Sequence, residues 1–106
     1  MSSWFIYNEG RSIGQASSEG AVILLDDEHK SGARITLKRG DKYASVSCNI
    51  YGWIDHTRLF ASVPDAEREY KSMKTALGKL IDSIASAGEN SIKGWEEISE
   101  FVRRFP

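Results

Sequence analysis

Cysteine, long apolar runs and an excess of charge of either sign are what this sequence lacks. It has one cysteine, Cys48, so no disulfide can form within the chain, which suits a reducing compartment such as the cytoplasm. Its longest purely apolar run, residues 21–25, is far shorter than the stretch of about 20 residues that spans a membrane. Because 14 basic and 15 acidic residues leave a net charge of −1, no whole-molecule field favours a nucleic-acid or lipid partner.

The composition is typical of a folded globular domain. The 106 residues fit one domain and leave no room for two. Hydrophobic residues make up 41% of the chain, and three Trp, four Tyr and four Phe supply large groups for a core. The first residues show no basic region followed by an apolar run, as a secretory signal would. We therefore expect residues 1–106 to form a single cytoplasmic domain.

Two different hydrophobic periods divide the chain near residue 61. Before it, short β-branched and aromatic runs alternate with turn residues, which predicts strands over about residues 3–61 and a central meander over 32–61. After it, apolar residues recur at three- and four-residue steps, which predicts helices over about residues 63–87 and 91–104. The predicted fold class is α+β: an antiparallel sheet of about five strands with two C-terminal helices on one face, a two-layer sandwich.

Two turns set the predicted register of the meander. Residues 40–41 begin with glycine, as one common two-residue hairpin turn prefers, and residues 51–52 are predicted to form the next such turn. Directly opposed residues share a face of a sheet, so the turns decide which side chains lie together. The predicted register pairs Leu37 with Ala44, Ile35 with Val46, Ile50 with Trp53 and Val46 with Thr57.

The predicted register separates an apolar face from a polar one. The apolar face should receive the helices, and the other face should stay open. The predicted open face consists of Arg34, Thr36, Lys38, Tyr43, Ser45, Ser47, Asn49, Ile54, His56, Arg58 and Phe60.

Capping signals and apolar stripes define the two helices. Ser62 suits the N-cap of the long helix and Gly88 suits the position after its end. The stripe of the long helix consists of Ala66, Tyr70, Met73, Leu77, Leu80, Ile81 and Ile84. The stripe of the short helix consists of Ile92, Trp95, Ile98, Val102 and Phe105.

Part of the sequence resembles a group of short bacterial single-domain proteins of unknown function. The resemblance lies in residues 32–37 and in residues 50–60, IYGWIDHTRLF, and it covers most of the chain up to about residue 84. It implies a bacterial, cytoplasmic, single-domain protein and implies no activity. The similar positions in the long helix are Glu67, Tyr70, Met73, Lys74 and Leu77.

The polar sheet face is the first candidate site. Cations and aromatic rings on an open sheet suit an anion, a single-stranded nucleic acid or an acidic protein surface, and the net charge argues against the nucleic acid. The leading hypothesis is a non-enzymatic binding or interaction module, with itself (as a homodimer) or another protein as the partner. The alternatives are an ordinary solvated face, and a small-ligand or anion-binding protein or minor enzyme that uses His56, Arg58 and Ser47. The candidate binding residues are Arg34, Tyr43, Ser47, His56, Arg58 and Phe60.

Two other groupings are weaker. The polar run of residues 26–29, predicted to be a loop, contains metal-ligand residue types but matches no known spacing of ligands. Ser47, His56 and Asp55 supply the residue types of a catalytic triad, but Asp55 and His56 are consecutive in a strand and point to opposite faces. We therefore expect no catalytic residue, no metal and no cofactor.

Overall fold

The computed structural model describes residues 3–16, 20–87 and 91–106. All strands are antiparallel and lie in chain order, β1-β2-β3-β4-β5, and two helices pack on one face of this sheet, which confirms the α+β class. The elements are β1 (Trp4–Ile6), a 3₁₀ turn (Tyr7–Gly10), β2 (Val22–His29), β3 (Ala33–Arg39), β4 (Ala44–Ile50), β5 (Ile54–Phe60), α1 (Val63–Ala87) and α2 (Ser91–Arg104).

The long helix and the middle of the sheet form the hydrophobic core. Ser62 caps α1 as predicted, because its hydroxyl accepts the N–H of Asp65 at 3.3 Å. Every residue of the predicted α1 stripe is buried, as are the apolar side chains of β3 and β4 that it covers. The sheet side of the core consists of Ala33, Ile35, Leu37, Ala44, Val46, Cys48 and Ile50.

The register between β3 and β4 differs from the predicted one by two residues. Leu37 pairs with Val46 rather than with Ala44, because the connection is the four-residue loop 40–43. The N–H of Gly40 and the carbonyl of Tyr43 close this loop at 2.7 Å. Since side chains alternate with a period of two, this shift leaves every residue of the two strands on its predicted face.

The register between β4 and β5 was predicted wrongly by one residue, which turns β5 over. Ile50 pairs with Ile54, not with Trp53, so the even-numbered residues of β5 face the helices. The extra residue, Trp53, leaves the strand and packs against α2, with its ring centroid 5.1 Å from that of Trp95. Packing of an aromatic residue against a distant helix thus decides the orientation of the whole strand.

The second helix is rotated from its predicted orientation. Ile98 and Phe105 are buried as predicted, but Phe101 is buried with them, while Ile92 is 73% exposed. The backbone of Gly94 lies against the ring of Trp53, which fixes the side of α2 that faces the sheet. The predicted end of α1 at Gly88 lies outside the described residues.

Candidate functional site

The sheet surface opposite the helices, called the open face here, is built from three rows of side chains that cross β3, β4 and β5. Each row is named after its β4 residue, and directly paired residues lie side by side in it. The rows are Arg34–Asn49–Asp55 (the Asn49 row), Thr36–Ser47–Thr57 (the Ser47 row) and Lys38–Ser45–Leu59 (the Ser45 row).

A shallow depression of about 200 Å³ lies in the middle of the open face. Its floor contains the Ser47 and Thr57 hydroxyls, which are hydrogen-bonded to each other at 3.0 Å. Lys38, Asn49 and Asp55 line it, and their side chains make no hydrogen bond or ion pair with any residue in the described ranges. The depression therefore offers an ammonium, an amide and a carboxylate to a partner without breaking an existing bond.

A hydrogen-bonded cluster around the buried carboxylate of Asp26, called the Asp26 cluster here, forms the border of the depression toward β2. Asp26, 1% exposed, accepts bonds from Arg34 Nε at 2.9 Å and Nη2 at 2.6 Å, from Ser12 at 2.8 Å and from Thr36 at 3.0 Å. Burial would raise the pKa of the Asp26 carboxyl, but these bonds outweigh it and lower the pKa below its usual value. Tyr7 lies 3.6 Å from the Arg34 guanidinium, in a cation–π contact.

The segment that carries Tyr7 and Ser12 covers the open face at β2. This cover segment, residues 7–16, follows β1 and returns beside β2, where Ile23 N–H donates to the Gln15 carbonyl at 3.1 Å. Asn8 and Glu9 adopt left-handed backbone conformations with φ of 50° and 57°. Such conformations are strained for residues other than glycine, and contacts such as that of Ser12 with Asp26 hold the segment in place.

The predicted binding residues divide between the two faces of the sheet. Arg34 and Ser47 lie on the open face as predicted, and Tyr43 lies in the exposed β3–β4 loop. The placement of the β5 residues on that face was wrong because of the one-residue shift: they lie on the helix side and are half-buried. The three misplaced residues are His56, Arg58 and Phe60.

His56 and Arg58 of β5 bind the end of the second helix. His56 Nε2 donates to the carbonyl of Phe105, so the proton is assigned to that nitrogen. Arg58 donates to the carbonyl of Pro106 at 3.0 Å and to the carboxylate of Glu69 at 2.8 Å. Carbonyls at a helix end carry partial negative charge and attract cations. This pairing holds α2 to β5, and it turns the side chains of His56 and Arg58 to the face opposite that of Ser47.

Cys48 also borders the depression, but its thiol points to the helix side of the sheet. Burial, with a smaller effect from Asp55, raises the pKa of the Cys48 thiol to about 12, so the sulfur stays protonated at neutral pH. The His56 ring, the nearest general base by residue type, is bonded to the Phe105 carbonyl. The open face therefore has groups suited to binding and no activated nucleophile among the described residues.

The polar run of residues 26–29, predicted to be a loop, instead ends β2 and divides between the faces. Asp27 points toward α1, where it accepts hydrogen bonds from the Tyr70 hydroxyl and from Lys74 Nζ at 3.2 Å. Burial and the Asp27 bond raise the pKa of the Tyr70 phenol. In the described ranges no three His, Cys, Asp or Glu residues lie close enough to hold a metal ion.

His29 is a neutral buried base, which makes the stability of the fold depend on pH. The side chain is 2% exposed, and its Nδ1 accepts a hydrogen bond from the Ser31 N–H at 3.0 Å. The ring packs against Trp4, and the charged residues beside it are Asp82 and Lys30. Burial lowers the His29 pKa below 6.5. Below pH 6.5 the unfolded chain therefore binds more protons at His29 than the folded chain does. As a result, the stability that neutral His29 provides above pH 6.5 is lost as the pH falls toward the pKa of His29 in the folded chain.

Urea unfolding at a series of pH values tests this expectation. The free energy of unfolding of the wild-type chain should fall as the pH drops below 6.5. His29→Gln, which cannot titrate, should be less stable at neutral pH and should show a flatter pH dependence in this range. Equal slopes for the two chains would show that His29 does not cause the dependence.

Comparisons of the chain with models of protein families, with curated proteins and with solved structures found no match. Neither helix in the described ranges is long and apolar enough to cross a membrane. The chemistry of the open face is therefore the evidence for a function.

The residues that sequence reasoning missed are the odd-numbered ones of β5, Asp55, Thr57 and Leu59. Leu59 is 67% exposed at the rim of the open face. One signal in the sequence could have found them: Trp53 and Ile54 are both apolar, so a three-residue connection that keeps both toward the core was an alternative.

Proposed function

We propose that this chain is a non-enzymatic interaction module that binds a partner through the open face. The observation that carries the proposal is a set of polar side chains that surround a floor of hydroxyl groups and have no bonding partner among the residues that the structure describes: Lys38, Asn49 and Asp55. Polar and charged groups are typical of the rim of protein interfaces, where complementary charges set the orientation of the partner.

The shape of the open face favours a protein partner over a small molecule. Small-molecule sites commonly enclose about 300–1,000 Å³, whereas the depression holds about 200 Å³ and opens to solvent. A volume of this size accepts one or two side chains that protrude from another protein. Leu59, exposed beside it, adds the apolar contact that polar groups alone do not provide.

The positions of His56 and Arg58 argue against the small-ligand alternative. That alternative needs His56 and Arg58 next to Ser47, and the register places them on opposite sides of the sheet. The groups that remain on the open face can bind and orient a partner.

Site-specific photo-crosslinking in living cells tests the proposal. A benzophenone amino acid at position 57, in the floor of the depression, should give discrete covalent adducts on illumination. The matched control carries it at position 67, an exposed site on α1, and should give none of these adducts. Identical adduct patterns from both positions, or no adduct from position 57, would contradict the proposal.

A further inference from the structure

We infer that the partner of the open face is a second copy of this chain, related by a two-fold axis that runs along β4 between the two sheets. This inference rests on the proposed function and adds the identity of the partner and its orientation. It follows from the strand order, the register and the positions of the charges.

A two-fold axis along β4 brings complementary charges together. Rotation about this axis keeps each row at the same height along the strands. It places β3 of one copy over β5 of the other. Arg34 of one copy then faces Asp55 of the other, and the reciprocal pair forms by symmetry. Packed sheet faces lie about 10 Å apart, a distance that an arginine and an aspartate side chain bridge together.

Both members of this pair have unused bonding capacity. Arg34 uses Nε and Nη2 for Asp26, and its Nη1 has no hydrogen-bond partner within the described ranges. Asp55 is exposed and likewise unpaired there. The pair therefore forms without disturbing the Asp26 cluster.

The same rotation accommodates the cover segment. Residues 7–16 stand on the open face at β2, so in the second copy they pass outside the edge of β5 rather than colliding with the sheet. In the Ser45 row, Lys38 of one copy lies over Leu59 of the other. Ile13, 39% exposed beside Ile23 at the level of this row, approaches the same Leu59. The edge strand and its exposed leucine are thus covered.

The competing two-fold axis, perpendicular to the strands, fits poorly. This axis places β3 of one copy over β3 of the other and puts the Asn49 row of one copy over the Ser45 row of the other. Arg34 of one copy then faces Lys38 of the other, and Asp55 faces Leu59. It also brings the two cover segments to the same side, where they collide. Charge and shape therefore select the axis along β4.

The size of the face limits the affinity. The three strands of the open face, β3, β4 and β5, are spaced about 4.8 Å apart and are each seven residues long, so they present on the order of 300 Å². This is less than the roughly 800 Å² that each partner contributes to a standard interface. We expect a dimer that dissociates in the micromolar range or above and that weakens with added salt.

Sedimentation equilibrium over a range of concentrations tests the dimer, with circular dichroism to show that each variant is folded. Wild type should dimerise, and Asp55→Arg should weaken the dimer by about tenfold or more, because it places two cations against each other. Glu67→Arg makes the same charge change on exposed α1 and should leave the dimerisation constant unchanged.

Two variants of Leu59 test the axis. With the axis along β4, Leu59→Glu meets Lys38 and should dimerise more tightly than Leu59→Arg. The reverse order would overturn this axis, because the perpendicular axis puts position 59 against Asp55. A wild-type chain that stays monomeric at millimolar concentration, or an unchanged constant for Asp55→Arg, would overturn the dimer. If that monomer still forms adducts with other proteins through position 57, the proposed function stands and the dimer fails.

Discussion

Asp26→Ala is expected to lower the free energy of unfolding by about 3–5 kcal/mol, the usual effect of removing one member of a buried ion pair. The carboxylate accepts four hydrogen bonds, from Ser12, Thr36 and two nitrogens of Arg34. Its removal leaves the Arg34 charge without its partner and removes the Ser12 contact, one of those that hold the cover segment on β2. Urea unfolding at neutral pH measures the change.

Glu28→Ala is the matched control for Asp26→Ala. Glu28 lies on the same strand and face, and its carboxylate accepts a hydrogen bond from Tyr51 at 2.7 Å at an exposed position. Water replaces that bond, so we expect a loss of about 1 kcal/mol or less. Equal losses for the two variants would show that the Asp26 cluster does not hold the cover segment in place.

Leu77→Ala is expected to lower the free energy of unfolding by about 2–5 kcal/mol, because it opens a cavity between α1 and the sheet. Leu77 is fully buried in the core cluster. Thr75→Ala, at an exposed position two residues away on the same helix, should change stability by about 0.5 kcal/mol or less. A loss below 1 kcal/mol for Leu77→Ala, by urea unfolding with unchanged m-value, would contradict the packing of α1.

The helices and the apolar face of β3 and β4 follow from the sequence because local signals decide them. Every member of the α1 stripe from Ala66 to Ile84 is buried, since one amphipathic period over about five turns leaves one possible orientation. The loop 40–43 was predicted with the wrong length, but the error was an even number of residues. The alternation of β3 and β4 therefore kept each side chain on its predicted face.

The orientation of β5 could not be predicted because its local pattern fits both orientations. Trp53 and Leu59 are apolar in one phase, Ile54 and Phe60 in the other. The polar residue Arg58 lies on the helix side because its partners, Glu69 and the carbonyl of Pro106, are distant in sequence. The pattern of the strand alone predicts that Arg58 faces solvent. Its partners, which are distant in sequence, instead hold it on the helix side.

The run of residues 26–29 shows the same limit. Four polar residues in succession indicate a loop, yet they form the end of β2. Each inward-facing charge has a partner far along the chain: Ser12 and Arg34 for Asp26, Tyr70 and Lys74 for Asp27. Buried charges are stable in a sheet when they are paired in this way, and local propensity does not contain that information.

Amide chemical-shift mapping of the wild-type chain on dilution tests most directly whether the open face is the dimer interface. We predict concentration-dependent shifts in β3, β4, β5 and the cover segment, largest near Ser47, Asn49 and Thr57, with α1 and α2 unchanged on their exposed sides. Shifts confined to the exposed sides of the helices, or spectra that are identical from micromolar to millimolar concentration, would contradict it.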